Sequence, residues 1–402
     1  MPILYLAFVF FIIIAMLALR RPLWQALIGG ILLLTLLFRI APHTIIRLTL
    51  KTVSSWSSLS VVLIVYCITF LQRILEARNM LRGAQSDLDA LFHNRRINAS
   101  GAPIFIGLLP SAAAMILCAD IVRDATEGSL TPDEQAFTAS WFRHIPESIL
   151  PTYTGVILML NLTGISAGPF MLAMVVPVFV LALLGFLFTL HKVPRSSQIS
   201  DTSTNGKTHA LNLFLHLWPL LLILILILAF GMDTCLAVLA SIIAATFLLR
   251  LSSAELIPMF KNALEPRILL STWLVLVLKE FIAETGVLET LPAAMSALPL
   301  PSWIIFAILF FSATLIGGTT SAIALGTPLA CAVLPSGIPL AVFLMGITHA
   351  ATQVSPVHVC LTVAAECFHI SLGTLIRKTI PVSLAFCAFM ALYYHILIAI
   401  FP

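Results

Sequence analysis

Long apolar segments recur along this chain and restrict its fold more than any other feature. Several of them reach the roughly 20 residues that a helix needs to cross the hydrocarbon core of a bilayer. Residues are 60% hydrophobic and only 9% charged, which is not the composition of a soluble globular protein. The sequence therefore predicts an all-α polytopic membrane protein in contact with the lipid bilayer.

We predict about ten spans, five in each half of the chain. In the first half they lie near residues 3–19, 22–40, 54–72, 144–161 and 169–190. In the second half they lie near residues 211–230, 232–250, 268–285, 341–368 and 380–400. The most polar extended segment, 191–210, separates the halves and is predicted to be a cytoplasmic linker.

The two halves, 1–190 and 211–402, carry matching features in the same order. His144 and His349 are 205 positions apart, and so are Pro151 and Pro356. Small-residue stretches, which include Gly107 in one half and Gly317 in the other, match at a similar offset of 210. A duplication accounts for matches at such a constant offset.

The number of spans and the distribution of cations predict that the repeats are inverted. Five crossings per half is an odd number, so the second repeat enters the membrane upside down relative to the first. With the N-terminus outside, most Lys and Arg clusters fall on the inside, as the positive-inside rule requires. Arg47 and Lys51 are the exceptions.

Two segments, 101–124 and 303–334, are too rich in Gly, Pro, Ser and Thr to be plain spans. We predict that each is a re-entrant helical hairpin whose tip lies near the membrane midplane. Breaks of this kind expose backbone donors and carbonyls that can bind a substrate or an ion. The candidate substrate-binding residues at the tips are Pro110, Ser111, Thr319, Thr320 and Ser321. The alternative is that small residues there only let helices pack closely.

Pro151 and Pro356 predict interruptions in the spans 144–161 and 341–368. Three polar residues beside these breaks are further substrate-binding candidates: Thr152, Tyr153 and Ser355. Arg143 is a candidate for recognition of an anion, because its guanidinium can hold a carboxylate with two hydrogen bonds. Its alternative role is that of a cation at the membrane surface, with its side chain extended into water.

Histidines at equivalent positions suggest ion or proton coupling. His144 and His349 are candidates because imidazole titrates near neutral pH. Asn161 and Glu366 correspond through the same offset, and a carboxylate at membrane depth suggests function. Packing roles for the histidines, and a surface position for Glu366, stay open as alternatives.

Metal, enzyme and nucleic-acid functions find little support in the sequence. His349, His358 and His369 are spaced by 9 and 11 residues, whereas one helix face needs spacings of 3, 4 or 7. The sequence has no HExxH, GxSxG or P-loop motif. The formal charge of +4 is small, and the seven cysteines show no CxxC spacing. We therefore expect no enzyme activity, no metal site, no cofactor and no nucleic-acid partner.

Four stretches together resemble an uncharacterised prokaryotic family of integral membrane proteins: Gly107–Ala112, Ser129–Glu134, Trp141–His144 and Leu150–Gly155. That family is grouped with the ion-transporter superfamily, which includes gluconate, citrate, dicarboxylate and arsenite permeases. The resemblance implies inverted repeats, two re-entrant hairpins and a homodimer with a scaffold and a moving transport domain. The hairpin tips lack the Ser-Asn-Thr sequence of the sodium–dicarboxylate branch, so Na⁺ and H⁺ both stay open as the coupling ion.

Residue pattern and resemblance lead to one functional expectation. The chain is expected to be a secondary transporter of a small organic anion, driven by an ion gradient and working by elevator-type alternating access. Its expected location is the inner membrane of a prokaryote. The alternatives are a passive channel for a small solute and, with less support, an intramembrane enzyme.

Overall fold

A computed structural model describes residues 2–80, 83–84, 86–87, 94–108, 113–195 and 206–401. The helices before residue 196 are α1 (Pro2–Ala18), α2 (Leu23–Leu37), α3 (Pro42–Ser54), α4 (Trp56–Ala77), α5 (Arg95–Ile106), α6 (Ala113–Thr126), α7 (Pro132–His144), α8 (Thr154–Thr163) and α9 (Ala167–Phe188). Short 3₁₀ helices cover Ile145–Ser148 and Leu190–Lys192.

The later helices are α10 (Gly206–Phe230), α11 (Thr234–Leu248), α12 (Ser253–Asn262), α13 (Pro266–Glu284), α14 (Val287–Ser296), α15 (Ser302–Val333), α16 (Ile338–Thr352), α17 (Val359–Cys367) and α18 (Leu372–Ile400). Among the described residues, five helices are long and apolar enough to cross a membrane: α4, α9, most of α10, α15 and α18. Large apolar side chains such as Phe179 and Phe247 stay exposed on them or on their neighbours. These findings agree with the predicted all-helical, multi-pass membrane protein.

Helix α15 folds back on itself at Gly318. The backbone of Gly318 has φ 77° and ψ 172°, a conformation that side-chain-bearing residues rarely adopt. Phe310 and Gly326 lie eight residues before and after this glycine, and a Cβ on Gly326 would collide with the Phe310 ring. Because 16 residues of straight helix would span about 24 Å, this contact shows that the two arms form a helical hairpin.

Two helices end at a break and resume after it, and both breaks contain a proline. Helix α7 ends at His144, a 3₁₀ turn follows, and α8 begins at Thr154 beyond Pro151. Helix α16 ends at Thr352, and α17 begins at Val359 beyond Pro356. The predicted interrupted spans 144–161 and 341–368 overlap these elements, although the first helical part starts earlier, at Pro132. The start is defined by a capping box between Thr131 and Glu134.

Helices of the first half contact helices of the second in reciprocal pairs. Helix α3 packs on α13 as α12 packs on α4, and α4 packs on α11 as α13 packs on α2. Around the breaks, α8 packs on α15 as α17 packs on α6, and α7 packs on α18 as α16 packs on α9. Each of these contacts therefore has a counterpart with the corresponding helices of the two halves exchanged, whereas the contacts of α1 with α14 and α15 have no counterpart of similar extent among the described residues.

Ion pairs join α3 to α13 and α4 to the region of α12. Arg47 lies 2.6 Å from Glu284, and Lys51 lies 2.7 Å from Glu280. At the corresponding contact, Arg78 lies 2.9 Å from Glu255. The two cations that depart from the positive-inside pattern are thus paired with carboxylates.

Candidate functional site

A cavity of about 350 Å³ lies where the two helix breaks meet the second arm of the α15 hairpin. It is lined by residues of the first half, Arg143, Glu147, Tyr153, Thr154 and Gly155, and of the second half, Thr319, Thr320, Met345, His349, Thr352, His358 and Cys360. Non-helical backbone is tolerated at membrane depth where it lines such a cavity. The cavity is therefore the first candidate for a binding site.

Arg143 supplies the cavity with a buried cation. It is only 1% exposed and forms an ion pair with Glu147, one helical turn further along the chain. The backbone of α5 approaches closely here: a Cβ on Gly107 would collide with the carbonyl oxygen of Arg143. A glycine is required at this contact, because any side chain would push α5 away from the end of α7.

Tyr153 and Gly155 position the start of α8. The Tyr153 hydroxyl donates a hydrogen bond to the Gly107 carbonyl, which ties the α7–α8 break to the end of α5. On the other side, a Cβ on Gly155 would lie 2.9 Å from Cγ2 of Thr319. The absence of a side chain at Gly155 thus allows α8 to pack against the hairpin.

His144 and His358 connect the two halves through a hydrogen bond of 2.8 Å between their Nε2 atoms. His144 Nδ1 lies 2.6 Å from the Ser140 carbonyl oxygen, which can only accept, so Nδ1 carries the proton. In the neutral ring, Nε2 of His144 is therefore the acceptor and His358 is the donor. The bridge fixes the tautomers of both rings.

The opposite wall of the cavity is uncharged and polar. The Thr319 and Thr352 hydroxyls lie 2.7 Å apart and share a hydrogen bond. His349 Nε2 lies 3.3 Å from the Gln353 side-chain nitrogen, which also donates to the Trp141 carbonyl. The Gln353 oxygen is buried and has no hydrogen-bond partner among the described residues.

The structure gathers only some of the residues predicted from the sequence. Five of them line the cavity: Arg143, Tyr153, Thr319, Thr320 and His349. A sixth, His144, lies behind the wall and is hydrogen-bonded to His358. Pro110 and Ser111 lie outside the described residues.

The remaining predicted residues lie beside the cavity or far from it. Ser321 and Ser355 are buried and donate hydrogen bonds to the backbone carbonyls of Gly317 and Thr314. Thr152 is buried in the α7–α8 break. Asn161 lines a different cavity, of about 790 Å³, where it donates to the Ser57 carbonyl. Glu366 is exposed. The structure thus separates the equivalent pair Asn161 and Glu366 from the histidines.

Among the lining residues that were not sequence candidates, three carry ionisable side chains: Glu147, His358 and Cys360. Glu147 follows Arg143 by four residues, the spacing of a helical ion pair, and this signal was available. One imidazole nitrogen of His144, one of His358 and the Cys360 sulfur lie within 4.8 Å of one another. Spacing within one helix could not reveal this cluster, because His144 and His358 are 214 residues apart.

The fold is similar to that of a solved membrane protein. It matches the crystal structure described as the Alcanivorax borkumensis YdaH transporter with an unusual topology, with a TM-score of 0.66 and 14% identity. The match covers 94% of this chain and 99% of the other. The model of a family described as "Protein of unknown function (DUF401)" matches residues 4–397. No curated protein matches the chain.

Proposed function

The chain belongs to the DUF401 family, and from this premise we propose that it is a secondary transporter of a small organic anion, driven by an ion gradient. The observation that carries the proposal is the buried Arg143, paired with Glu147, beside a cavity between two helix breaks. Ionisable residues at membrane depth are costly and mark substrate or ion pathways. The shared fold with a solved transporter supports the same class of protein.

Three helix starts at the cavity favour an anion as the substrate. Thr154 begins α8, Thr319 begins the second arm of the hairpin, and Cys360 lies in the first turn of α17. The first turn of a helix has N–H groups without helical partners and carries a partial positive charge. A carboxylate in the cavity would receive these donors together with the guanidinium of Arg143.

The reciprocal helix contacts support the proposed inverted repeats. If two copies of one unit pack around a pseudo-two-fold axis, every contact between unlike helices occurs twice, as the paired contacts of α3 and α12 illustrate. Binding sites of inverted-repeat transporters lie where broken helices of the two repeats meet. We propose that the hairpins are re-entrant and that the unit around the cavity moves against the rest in an elevator-type cycle.

The coupling ion is proposed to be H⁺ or Na⁺. His144 and His349 lie at or behind the cavity wall and are the proposed proton-coupling residues. Asn161 and Glu366 do not line this cavity and are weaker candidates. The proposed setting is a homodimer in a prokaryotic inner membrane with the N-terminus outside.

The test is uptake of radiolabelled carboxylates into proteoliposomes containing the purified protein. Gradients of Na⁺ and of pH are imposed separately, with protein-free liposomes as the control. Saturable uptake above the equilibrium level under one gradient is the expected result and identifies the ion. Flux that no gradient can drive uphill would indicate a channel, and conversion of the substrate would indicate an enzyme.

A further inference from the structure

The cavity wall holds three side chains of the kinds that bind transition metals. Nε2 of His144 and Nε2 of His358 are 2.8 Å apart, and a ligand atom of Cys360 completes a group within 4.8 Å. Imidazole nitrogen and thiolate sulfur are preferred ligands of Zn²⁺ and of Cu⁺. We propose that His144, His358 and Cys360 bind a transition-metal ion, with Zn²⁺ as the representative, at the wall of the cavity.

The orientation of His144 suits a metal ligand. Its Nδ1–H donates to the Ser140 carbonyl at 2.6 Å, which directs the Nε2 lone pair toward His358. Ligating histidines in metalloproteins almost always donate their other N–H in this way, which fixes ring and tautomer. His144 is completely buried, so its ring has little freedom to turn elsewhere.

Local backbone brings His358 and Cys360 to the same point. His358 is the N-cap residue of α17 and has extended backbone, with φ −82° and ψ 107°. Cys360 lies in the first turn of α17, whereas His358 stands just outside the helix, so the His358 side chain does not follow the helical pattern in which positions two apart diverge. The imidazole and the thiol can therefore approach one point at the α16–α17 break.

Admission of the ion needs a small movement of the two imidazoles and a larger approach of the Cys360 sulfur, from within 4.8 Å of them to about 3.6 Å. Zn²⁺ lies about 2.0–2.1 Å from nitrogen and about 2.3 Å from sulfur, so two tetrahedral nitrogen ligands are about 3.3 Å apart. The imidazoles of His144 and His358 would thus separate by about half an ångström from their hydrogen-bonded distance. The positive charge of Arg143 opposes a cation nearby, but its ion pair with Glu147 offsets that repulsion.

Three protein ligands leave one tetrahedral position, and the cavity that His358 and Cys360 line is where it would open. If the proposed function is correct, a carboxylate oxygen of the substrate would occupy this position. Such a site would restrict the substrates to organic anions that can coordinate a transition metal.

The experiment uses Co²⁺ as a spectroscopic substitute for Zn²⁺. The full-length protein in detergent is freed of metal with a chelator and titrated with Co²⁺ in the absence of any organic anion. We expect one Co²⁺ per chain and a thiolate-to-cobalt charge-transfer band. Cys360→Ser should abolish the band, and His358→Gln should weaken binding at least tenfold. Elemental analysis after Zn²⁺ loading and dialysis should give the same stoichiometry.

Matched controls are available on the same segment. Cys367→Ser and His369→Gln change one residue of each type in or just after α17, outside the cluster, and should leave the titration unchanged. Thermal unfolding of each variant without metal verifies folding, and Cys360→Ala replaces Cys360→Ser if the latter fails to fold. A wild-type protein without the band, or a band that survives loss of Cys360, would overturn the site.

The site and the proposed function can fail separately. Metal binding is measured without substrate, so an absence of transport would not alter the Co²⁺ spectrum. Addition of citrate as a probe anion should shift the visible bands of the bound Co²⁺. If the Co²⁺ spectrum stays the same at a citrate concentration that saturates the protein, direct ligation of the anion is wrong.

Discussion

The two halves of the chain line one cavity with different chemistry. The first half contributes the charged pair Arg143 and Glu147, whereas the second contributes neutral hydroxyls and imidazoles, such as Thr319 and His349. Arg143 and His349 lie near the ends of α7 and α16, the two helices that stop at a proline-containing break. Similar backbone breaks thus hold both walls of the cavity, and the ion pair comes from the first half alone.

The ion pairs outside the cavity also differ between the two halves of the chain. Arg47 of α3 pairs with Glu284 of α13, and at the corresponding contact Glu255 of α12 pairs with Arg78 at the end of α4. The position is kept and the charges are exchanged. In the proposed inverted arrangement, Arg78 lies on the inside, and Arg47, an exception to the positive-inside rule, lies on the outside paired with Glu284.

The largest expected effect follows from removal of the charge contributed by the first half. Arg143→Met leaves the half-buried Glu147 without its partner, so we expect a loss of up to about 3 kcal/mol in the free energy of unfolding and no transport. The double variant Arg143→Met, Glu147→Gln should recover most of the stability but not the transport. Denaturation and uptake assays measure the two separately. Normal uptake by the double variant would exclude Arg143 as the anion ligand.

A smaller effect is expected where the backbone at Gly107 closely approaches the backbone at Arg143. Gly107→Ala places a methyl group against the Arg143 carbonyl, and overpacking of this kind costs about 1–3 kcal/mol. Transport should fall because the α7–α8 break shifts. Gly101→Ala, on the same helix, meets only Ile97 at 3.4 Å and serves as the control. Equal melting temperatures for both variants would contradict the close backbone approach.

A still smaller effect is expected on the uncharged wall. Thr319→Val keeps the shape that packs against Gly155 but removes the hydroxyl shared with Thr352, at a cost of about 0.5–1.5 kcal/mol. If this hydroxyl contacts the anion, the apparent affinity measured by uptake should fall about three- to tenfold with folding retained. Thr314→Val, which loses only a bond to the Phe310 carbonyl, is the matched control. The same affinity loss in both variants would contradict a specific role for Thr319.

The smallest effect is expected at the exchanged ion pairs. Glu284→Gln should change the unfolding free energy by at most about 1 kcal/mol, because exposed pairs are screened by water and salt. Uptake should stay at the wild-type level, and the difference should shrink further in high salt. A large loss of uptake would assign α3 and α13 a role beyond that of a scaffold.

The ion pair between Glu255 and Arg78 makes the stability of the protein depend on pH. Hydrogen bonds from the Ser252 backbone and hydroxyl, and then Arg78, hold the pKa of the Glu255 carboxyl below its usual range. A lowered pKa in the folded protein stabilises it above the unfolded pKa, and this contribution is lost as pH falls through the folded value. Glu255→Gln should therefore lower the melting temperature slightly near neutral pH and leave it unchanged at low pH.

Sequence reasoning predicted the helical membrane fold and the breaks at Pro151 and Pro356, because apolar length and proline act locally along the chain. It also singled out Arg143 and His144, which lie at the end of one helix. It missed the pairing of His144 with His358, because such a contact depends on how distant helices pack. The offset that matched Asn161 to Glu366 places residues at equivalent positions, but it does not determine whether those positions face the cavity.

The hairpin at Gly318 bears on how the protein enters the membrane during synthesis. Its 32 residues exceed the roughly 20 that machinery for insertion accepts as one crossing, so a straight helix would deliver its two ends to opposite faces. The contact between Phe310 and Gly326 instead folds the second arm back along the first. If the hairpin is re-entrant, as proposed, the chain leaves it on the face where it entered, and the direction of every later crossing then depends on the bend at Gly318 forming during insertion.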